Sequence, residues 1–165
     1  MKLNIKNETG RLKSVVLGQP KSIGPVPTLE ESYDAKSYYS IENGIYPKEE
    51  DIIAEMTAFE KVLKKNDVEV FRPNIIKDYN QVFARDVAFV IEDKMIISNV
   101  IKDRADEQEA YRKIFEKVEW RKIINLPETA HIEGGDVIVR DDFLCVGTCF
   151  SEDYRNYKTA RTNEY

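Results

Sequence analysis

Hydrophobic and polar positions along the chain predict a first series of elements. Residues 12–18 (LKSVVLG) alternate like a buried strand, and a long polar loop over 19–46 follows them. A helix is predicted from Pro47 to about Asn66, and residues 68–73 (VEVFRP) form the next short strand. The apolar positions that recur at helical spacing in this helix are Ile52, Ile53, Met56, Phe59, Val62 and Leu63.

A second series repeats this order of elements. Residues 87–91 (VAFVI) and 95–100 (MIISNV) are predicted strands joined by a turn. A helix is predicted over roughly 103–118, and residues 122–127 (KIINLP) form the strand that follows it. The apolar positions of this second helix are Tyr111, Ile114, Phe115 and Val118.

A third series begins but stops before its helix. Residues 135–139 (GDVIV) and 143–149 (FLCVGTC) are predicted strands, and the sequence ends at Tyr165 where a helix is expected next. Open strand edges and uncovered apolar faces then favour self-association. A compact α/β domain with a polar C-terminal tail explains the pattern equally well. The predicted units are roughly 1–75, 76–128 and an incomplete 129–165.

Composition is typical of a soluble globular domain. The chain has 165 residues, of which 42% are hydrophobic and 33% are charged, and its net charge is −5. No stretch approaches the about 20 apolar residues of a membrane span, and the N-terminus does not look like a signal peptide. We therefore expect a cytoplasmic protein without a nucleic-acid partner, because its lysines and arginines are scattered. No metal-ligand cluster or phosphate-binding loop is present, so we expect no cofactor.

Five segments, in this order along the chain, carry a resemblance to a known superfamily: NETGRLKSVVLGQP, NQVFARD, DRADEQEAYR, EGGD and RTN. They resemble motifs of the guanidino-group-modifying enzymes, the pentein superfamily that includes arginine deiminase, dimethylarginine dimethylaminohydrolase and glycine amidinotransferase. The resemblance implies an α/β fold, a five-bladed β/α propeller of ββαβ units. Residues 1–165 would be the N-terminal part of one catalytic domain, with about two and a half units.

The resemblance also implies a reaction and its acidic residues. Such enzymes act on arginine or an arginine derivative through a covalent cysteine intermediate, by hydrolysis or by amidino transfer. A guanidinium is planar and donates its N–H groups as a fork, so carboxylates are its natural partners. Asp86 matches the acid that clamps this group, and Asn80 matches a substrate contact. Glu133 matches the catalytic residue that orients a general-base histidine, and Asp136 is assigned a substrate-binding or structural role.

Four further charged residues lie near these motifs. Arg104 and Arg161 match positions that hold the α-carboxylate of the substrate, for which a guanidinium fork is a suitable receptor. Glu107 lies three residues after Arg104, so we expect an ion pair within the helix. Arg85 is predicted to be a structural ion-pair partner.

The expected nucleophile and base match no position in this sequence. In the superfamily the catalytic histidine and cysteine follow later in the chain, so we expect the 165 residues alone to be inactive. A rival hypothesis is a self-contained triad of Cys149, His131 and Glu133. In the simpler interpretation, His131 is a strand or pocket-edge residue and Cys145 lies in a buried strand. The alternative function is a non-catalytic pentein that binds a ligand or a partner.

Overall fold

The structure is a computed structural model that describes residues 1–32, 34–100 and 104–147. Its helices are α1 (Ala35–Glu42), α2 (Glu49–Lys65), α3 (Ala84–Val87), α4 (Glu107–Ala110) and α5 (Arg112–Phe115). Its strands are β1 (Ser14–Val16), β2 (Glu69–Phe71), β3 (Ala88–Ile91), β4 (Lys94–Ile97), β5 (Ile123–Asn125), β6 (Val137–Arg140) and β7 (Phe143–Val146). Short 3-10 helices lie at Leu29–Glu31, Trp120–Lys122 and Gly134–Asp136. Within these ranges, none of the helices is long and apolar enough to cross a membrane.

The strands form three small sheets. β1 pairs in parallel with β2. β3 and β4 form an antiparallel hairpin, and β5 then pairs in parallel with β4. β6 and β7 form a second antiparallel hairpin. The predicted mixed α/β architecture is confirmed, while the number of propeller units and the unit boundaries stay predictions.

An N-terminal segment connects two of these sheets. Ile5 forms a bridge with Glu92 in the turn between β3 and β4. Asn7 forms a bridge with Arg140 at the end of β6, and its side-chain amide donates to the Asp141 carboxylate at 2.8 Å. The second and third sheets are therefore held by one extended segment.

Buried apolar residues fix the chain on both sides of Asp86. Val87 is fully buried with Tyr111 and Ile114, and Phe89 is buried with Ile96 and the inward-facing residues of β6. Burying a side chain of this size stabilises the folded state by about 1.5–3 kcal/mol. The backbone that carries Asp86 is thereby anchored by the core.

The prediction that residues 19–46 form an irregular loop is wrong in part. This segment contains the 3-10 helix Leu29–Glu31 and helix α1. The Asp34 carboxylate caps α1 by accepting hydrogen bonds from the backbone N–H groups of Lys36 and Ser37, both at 2.9 Å. No residue of α1 is fully buried, so hydrophobic periodicity gave little sign of the helix. Aspartate directly before a helix, as at Asp34, is nevertheless a known start signal.

The single helix predicted over 103–118 is also wrong. The described part of that range contains α4 and α5, which are separated at Tyr111. The Tyr111 N–H donates to the carbonyl of Gln108, three residues earlier, at 3.0 Å. Apolar spacing predicted the burial of Tyr111 and Ile114 correctly, but it does not distinguish this tighter bonding from a continuous α-helix.

The prediction that Cys145 lies in a buried strand is wrong as well. β7 is exposed along its whole length, and Cys145 is an exposed free thiol. In β6 the inward-facing Val137 is 2% exposed, whereas the outward-facing Ile138 is 54% exposed. Within the described residues, β6 is therefore covered on one face only, and β7 is exposed on both faces. Self-association through such surfaces stays a prediction.

Candidate functional site

Asp86 lies where two short helical segments meet. It belongs to α3, and the 3-10 helix Gly134–Asp136 packs directly against that element. A Cβ atom on Gly134 would lie 2.1 Å from the carbonyl oxygen of Arg85, and one on Gly135 would lie 2.7 Å from Oδ1 of Asp86. The two glycines therefore allow this close approach, which no side chain at Gly134 would permit without movement of the backbone.

Glu133 enters the site from the other side of this contact. It precedes the 3-10 helix Gly134–Asp136 in extended conformation, and it is 2% exposed. The buried strand β6 follows directly and fixes the segment. Asp86 and Glu133, which come from separate motifs, are thus positioned by elements that pack on each other.

Both carboxylates contact the same nitrogen of Arg104. Nη1 of Arg104 lies 3.0 Å from Oδ2 of Asp86 and 3.5 Å from Oε2 of Glu133. The rest of the guanidinium donates to Glu107, from Nε to Oε1 at 3.2 Å and from Nη2 to Oε2 at 2.8 Å. Arg104 is 6% exposed and Glu107 is 1% exposed, so most of this network is shielded from water.

The electrostatics of this network favour a cation. Burial alone would lower the pKa of Arg104, but the hydrogen bond and charge of Glu107, together with Glu133 and Asp86, raise it above its ordinary value. Burial raises the pKa of Glu107 above 4.5, and Arg104 opposes that rise. The carboxylates outnumber the guanidinium, so the site keeps an excess of negative charge. Among the described residues, no group of three His, Cys, Asp or Glu side chains is arranged to hold a metal ion.

A small cavity opens beside Asp86 and Arg104. It encloses about 130 Å³ and is lined by Asp34, Ser37, Tyr46, Asn80, Phe83, Asp86 and Arg104. A volume of this size suits a planar head group and is smaller than the roughly 300–1,000 Å³ of pockets for whole drug-sized ligands. Sequence analysis missed the contribution of Asp34, Ser37 and Tyr46, because it assigned no structure to residues 19–46 beyond a polar loop.

Four of the predicted site residues lie in or beside one group of contacts. Asp86, Glu133 and Arg104 are brought together, and Asn80 lines the same cavity. Asn80 also accepts a hydrogen bond from the backbone N–H of Val82 at 3.2 Å, as an ordinary turn residue does. The roles assigned to these residues from the resemblance stay predictions.

Asp136 lies outside this group of contacts. Asp136 is half-buried, and in the described residues it is not among the ion-pair partners of Arg104. Its carbonyl accepts a hydrogen bond from the backbone N–H of Gly147 at 2.8 Å. Arg161 lies outside the described residues, so its predicted role has no structural counterpart here.

The rival triad has one member in a different environment from the expected one. His131 is exposed and lies before the strand, in irregular structure, whereas Glu133 is buried. Neither residue belongs to a strand, so strand alternation does not place their side chains on one face. Cys149, the third member, lies outside the described residues.

Arg85 is a structural link, as predicted. Its guanidinium donates to the carbonyls of Gly134 and Val137, each at 2.8 Å, and pairs with Glu8 at 2.7 Å. Glu8 also accepts a hydrogen bond from the backbone N–H of Val139 at 3.2 Å. Arg85 thus connects α3 to the 3-10 helix Gly134–Asp136 and to β6.

Replacing Arg85 by alanine is expected to lower the free energy of unfolding by about 1–2 kcal/mol, since hydrogen bonds are lost but the ion pair is partly screened by water. The hydrogen bond from Arg85 lowers the pKa of Glu8 below 4.5, so this contribution is present above that pH and is lost as the pH falls through the pKa of the folded state. Urea unfolding of both proteins at neutral pH and near pH 3 measures the difference. An equal deficit at both pH values would contradict the role of the Glu8 pair.

Several solved structures are similar to this chain, and the ones described below have TM-scores above 0.5. The inosamine-phosphate amidinotransferase StrB1 of Streptomyces griseus aligns with 83% of this chain and 52% of its own, at 16% identity and a TM-score of 0.61. A dimethylarginine dimethylaminohydrolase, captured as an adduct with S-methyl-L-thiocitrulline, aligns with 93% of this chain and 53% of its own, at 16% identity and a TM-score of 0.62. The chain has the pentein fold.

Two further proteins are similar to this chain. SxtG, an amidinotransferase of saxitoxin biosynthesis from Microseira wollei, aligns with 76% of this chain and 42% of its own, at 22% identity and a TM-score of 0.56. The uncharacterized protein YkgA of Bacillus subtilis (strain 168) is 27% identical over 143 residues, which are 86% of this chain and 48% of YkgA. No protein-family model matches the chain. The pentein segment described here spans about half the length of these proteins.

Proposed function

We propose that this chain forms the guanidinium-binding part of a guanidino-group-modifying enzyme. The substrate is arginine or an arginine derivative, and the reaction is hydrolysis or amidino transfer through a covalent cysteine intermediate. One observation carries the proposal: Asp86 and Glu133, from two separate motifs, converge on one guanidinium nitrogen at 3.0 and 3.5 Å.

Arg104 indicates which kind of group this site binds. Its guanidinium forms hydrogen bonds with the surrounding carboxylates, and charge-assisted hydrogen bonds of this kind are about twice as strong as neutral ones. Asn80 adds a polar side chain on the wall of the adjoining cavity. A substrate guanidinium that entered this cavity would meet Asp86 on its wall.

The resemblance assigns the base and the nucleophile to residues that match no position in this sequence. Glu133 orients a histidine base, the base takes the proton of a cysteine, and the thiolate attacks the central carbon of the bound guanidinium. One C–N bond of the adduct then breaks, the amine leaves with the proton from the histidine, and the group that remains on sulfur is transferred to water or to an acceptor amine. Names of structural neighbours support this reaction class, because they are amidinotransferases and a dimethylarginine dimethylaminohydrolase. The choice between water and an amine as acceptor depends on residues that this segment does not supply.

The complete gene product that contains this chain is expected to turn over arginine or a methylated arginine, with citrulline, ornithine or an amidino-transfer product as the readout. Asp86→Asn is expected to lower kcat/KM at least about tenfold, because a charged hydrogen bond to the substrate is worth about 1.5–3 kcal/mol. Glu133→Gln is expected to act mainly on kcat, since its assigned partner is the base rather than the substrate.

Asp93→Asn is a matched control for these variants. Asp93 is an exposed carboxylate in the turn between β3 and β4 that pairs only with Lys94 and Lys122 within the described residues. Its replacement is expected to leave kcat/KM unchanged. Binding of arginine without turnover would favour the non-catalytic pentein, whereas an Asp86→Asn protein with undiminished kcat/KM would contradict the proposed clamp.

A further inference from the structure

The guanidinium of Arg104 is divided between two kinds of partner. Nε and Nη2 form a parallel two-bond contact with Glu107, at 3.2 and 2.8 Å. Nη1 alone reaches Asp86 and Glu133. Such a two-bond contact is the strongest geometry available to a guanidinium and a carboxylate. Glu107 is therefore the anchor of Arg104, and the contacts with the two candidate site residues are separable from it.

The separable side of Arg104 borders the cavity. Asp86 and Arg104 both line its wall, while Glu107 and Glu133 do not. The contact between Nη1 and Glu133, at 3.5 Å, lies at the outer limit of hydrogen-bond length. A cation that enters the cavity can thus take over the contact of Nη1 with Asp86 without breaking the contact between Arg104 and Glu107.

We infer that Arg104 is an internal occupant of the substrate guanidinium site, held by Glu107, and that a substrate guanidinium displaces its Nη1 from Asp86. The inference rests on the proposed function and adds a positioning residue, Glu107, and an exchange step to it. In the empty site Arg104 neutralises carboxylates that would otherwise repel one another. Substrate affinity is then reduced by the fraction of molecules in which Arg104 occupies the site.

Arg104 has two proposed roles, exchange with the substrate guanidinium and binding of the substrate α-carboxylate. One ligand distinguishes them. The resemblance assigns Arg104 to the α-carboxylate of the substrate, and L-arginine carries both groups. The bare guanidinium ion carries no carboxylate, so it reports the exchange alone. Added as its chloride at millimolar concentration, well below denaturing levels, it is compared with sodium chloride at the same ionic strength.

The first measurement follows arginine side-chain resonances of the complete gene product by ¹⁵N NMR. Guanidinium ion is expected to shift the Nη resonances of Arg104 and to leave its Nε resonance nearly unchanged, because the contact with Glu107 persists. Arg72 is the internal control, since it is paired with Glu60 at 2.6 Å and takes no part in the cavity. Guanidinium binding that leaves the Nη resonances of Arg104 unchanged would overturn the inference.

The second measurement uses a variant that lacks both the guanidinium of Arg104 and the carboxylate of Glu107. The double variant Arg104→Met/Glu107→Gln keeps both stems and leaves no unpaired buried charge at Glu107. It is expected to bind guanidinium ion about tenfold tighter than the unaltered protein, as a site occupied nine-tenths of the time by Arg104 requires. The matched control Arg72→Met/Glu60→Gln is expected to show no gain.

The outcomes distinguish this inference from the proposed function. If L-arginine binds to the unaltered protein, but the double variant gains no affinity for guanidinium ion, Arg104 is a fixed part of the site and the exchange is wrong. If neither L-arginine nor guanidinium ion binds to any of these proteins, both the exchange and the proposed function are wrong. A loss of L-arginine affinity together with a gain for guanidinium ion supports both roles of Arg104.

Discussion

Replacing Arg104 by alanine is expected to lower the free energy of unfolding by about 3–5 kcal/mol, the range measured when one partner of a buried ion pair is removed. The reason is the charge left behind. Glu107 and Glu133 are 1% and 2% exposed, and Asp86 lies beside them, so three neighbouring carboxylates would lose their shared cation. Urea unfolding at pH 8, followed by circular dichroism, measures the loss.

This deficit is expected to shrink at lower pH. Burial raises the pKa of Glu107 above 4.5, and Arg104 is the group that opposes this rise within the described residues. A folded-state carboxyl with a raised pKa is neutral at low pH, and it costs stability as the pH increases from its unfolded pKa through its folded pKa. The deficit is therefore larger at pH 8 than at pH 5.

Two variants test whether this effect arises from the buried carboxylates. Adding Glu107→Gln to Arg104→Ala is expected to restore part of the loss, because one stranded charge is removed. Arg112→Ala is the control, since its pair with Glu116 is exposed and such pairs contribute about 0–1 kcal/mol. A loss for Arg104→Ala as small as that for Arg112→Ala, and independent of pH, would show that the network is not a stabilising unit.

Sequence analysis placed Asp86, Glu133 and Arg104 in one site through motifs, but it did not predict how they are paired. The contact between Arg104 and Glu107 follows from their spacing of three residues and is confirmed. The contacts of Arg104 with Asp86 and Glu133 span 18 and 29 residues. They depend on the packing of α3 against the 3-10 helix Gly134–Asp136, which local spacing does not encode.

Elements with a clear apolar pattern were the most predictable part of the fold. The strands β1 to β7 all lie within or next to the predicted segments, because inward-facing residues such as Val137 and Val139 alternate along the chain. Helix α1 was missed because it buries no residue completely and has little apolar signal. Cys145 was assigned to the interior because the pattern of a strand does not reveal whether its outer face is covered.

Gly134 is the position where the candidate site depends most directly on backbone contact. A Cβ atom there would lie 2.1 Å from the carbonyl oxygen of Arg85 and 2.9 Å from the Cβ atom of Phe89. Both are far below van der Waals distance, and neither atom belongs to the flexible end of a side chain. Relief of the clash would need α3 and the 3-10 helix Gly134–Asp136 to separate. That movement would carry Asp86 away from Glu133.

Replacing Gly134 by alanine is expected to lower the free energy of unfolding by about 2–3 kcal/mol, near the upper part of the range for overpacked positions. Binding of arginine and guanidinium ion is expected to fall at least about tenfold, since the movement would weaken a charged hydrogen bond to Asp86, which is worth about 1.5–3 kcal/mol. Chemical denaturation measures the first effect, and titration calorimetry on the complete gene product measures the second.

Gly147→Ala is the matched control for this substitution. Among the described residues, a Cβ atom at Gly147 would meet nothing closer than 3.7 Å, an ordinary contact, so its replacement is expected to change stability by no more than about 0.5 kcal/mol and to leave binding intact. A protein with Gly134→Ala that is destabilised but binds arginine normally would show that the site tolerates displacement of α3. A protein that is neither destabilised nor impaired in binding would show that α3 and the Gly134–Asp136 helix are not in close contact, and it would remove the structural basis for pairing Asp86 with Glu133.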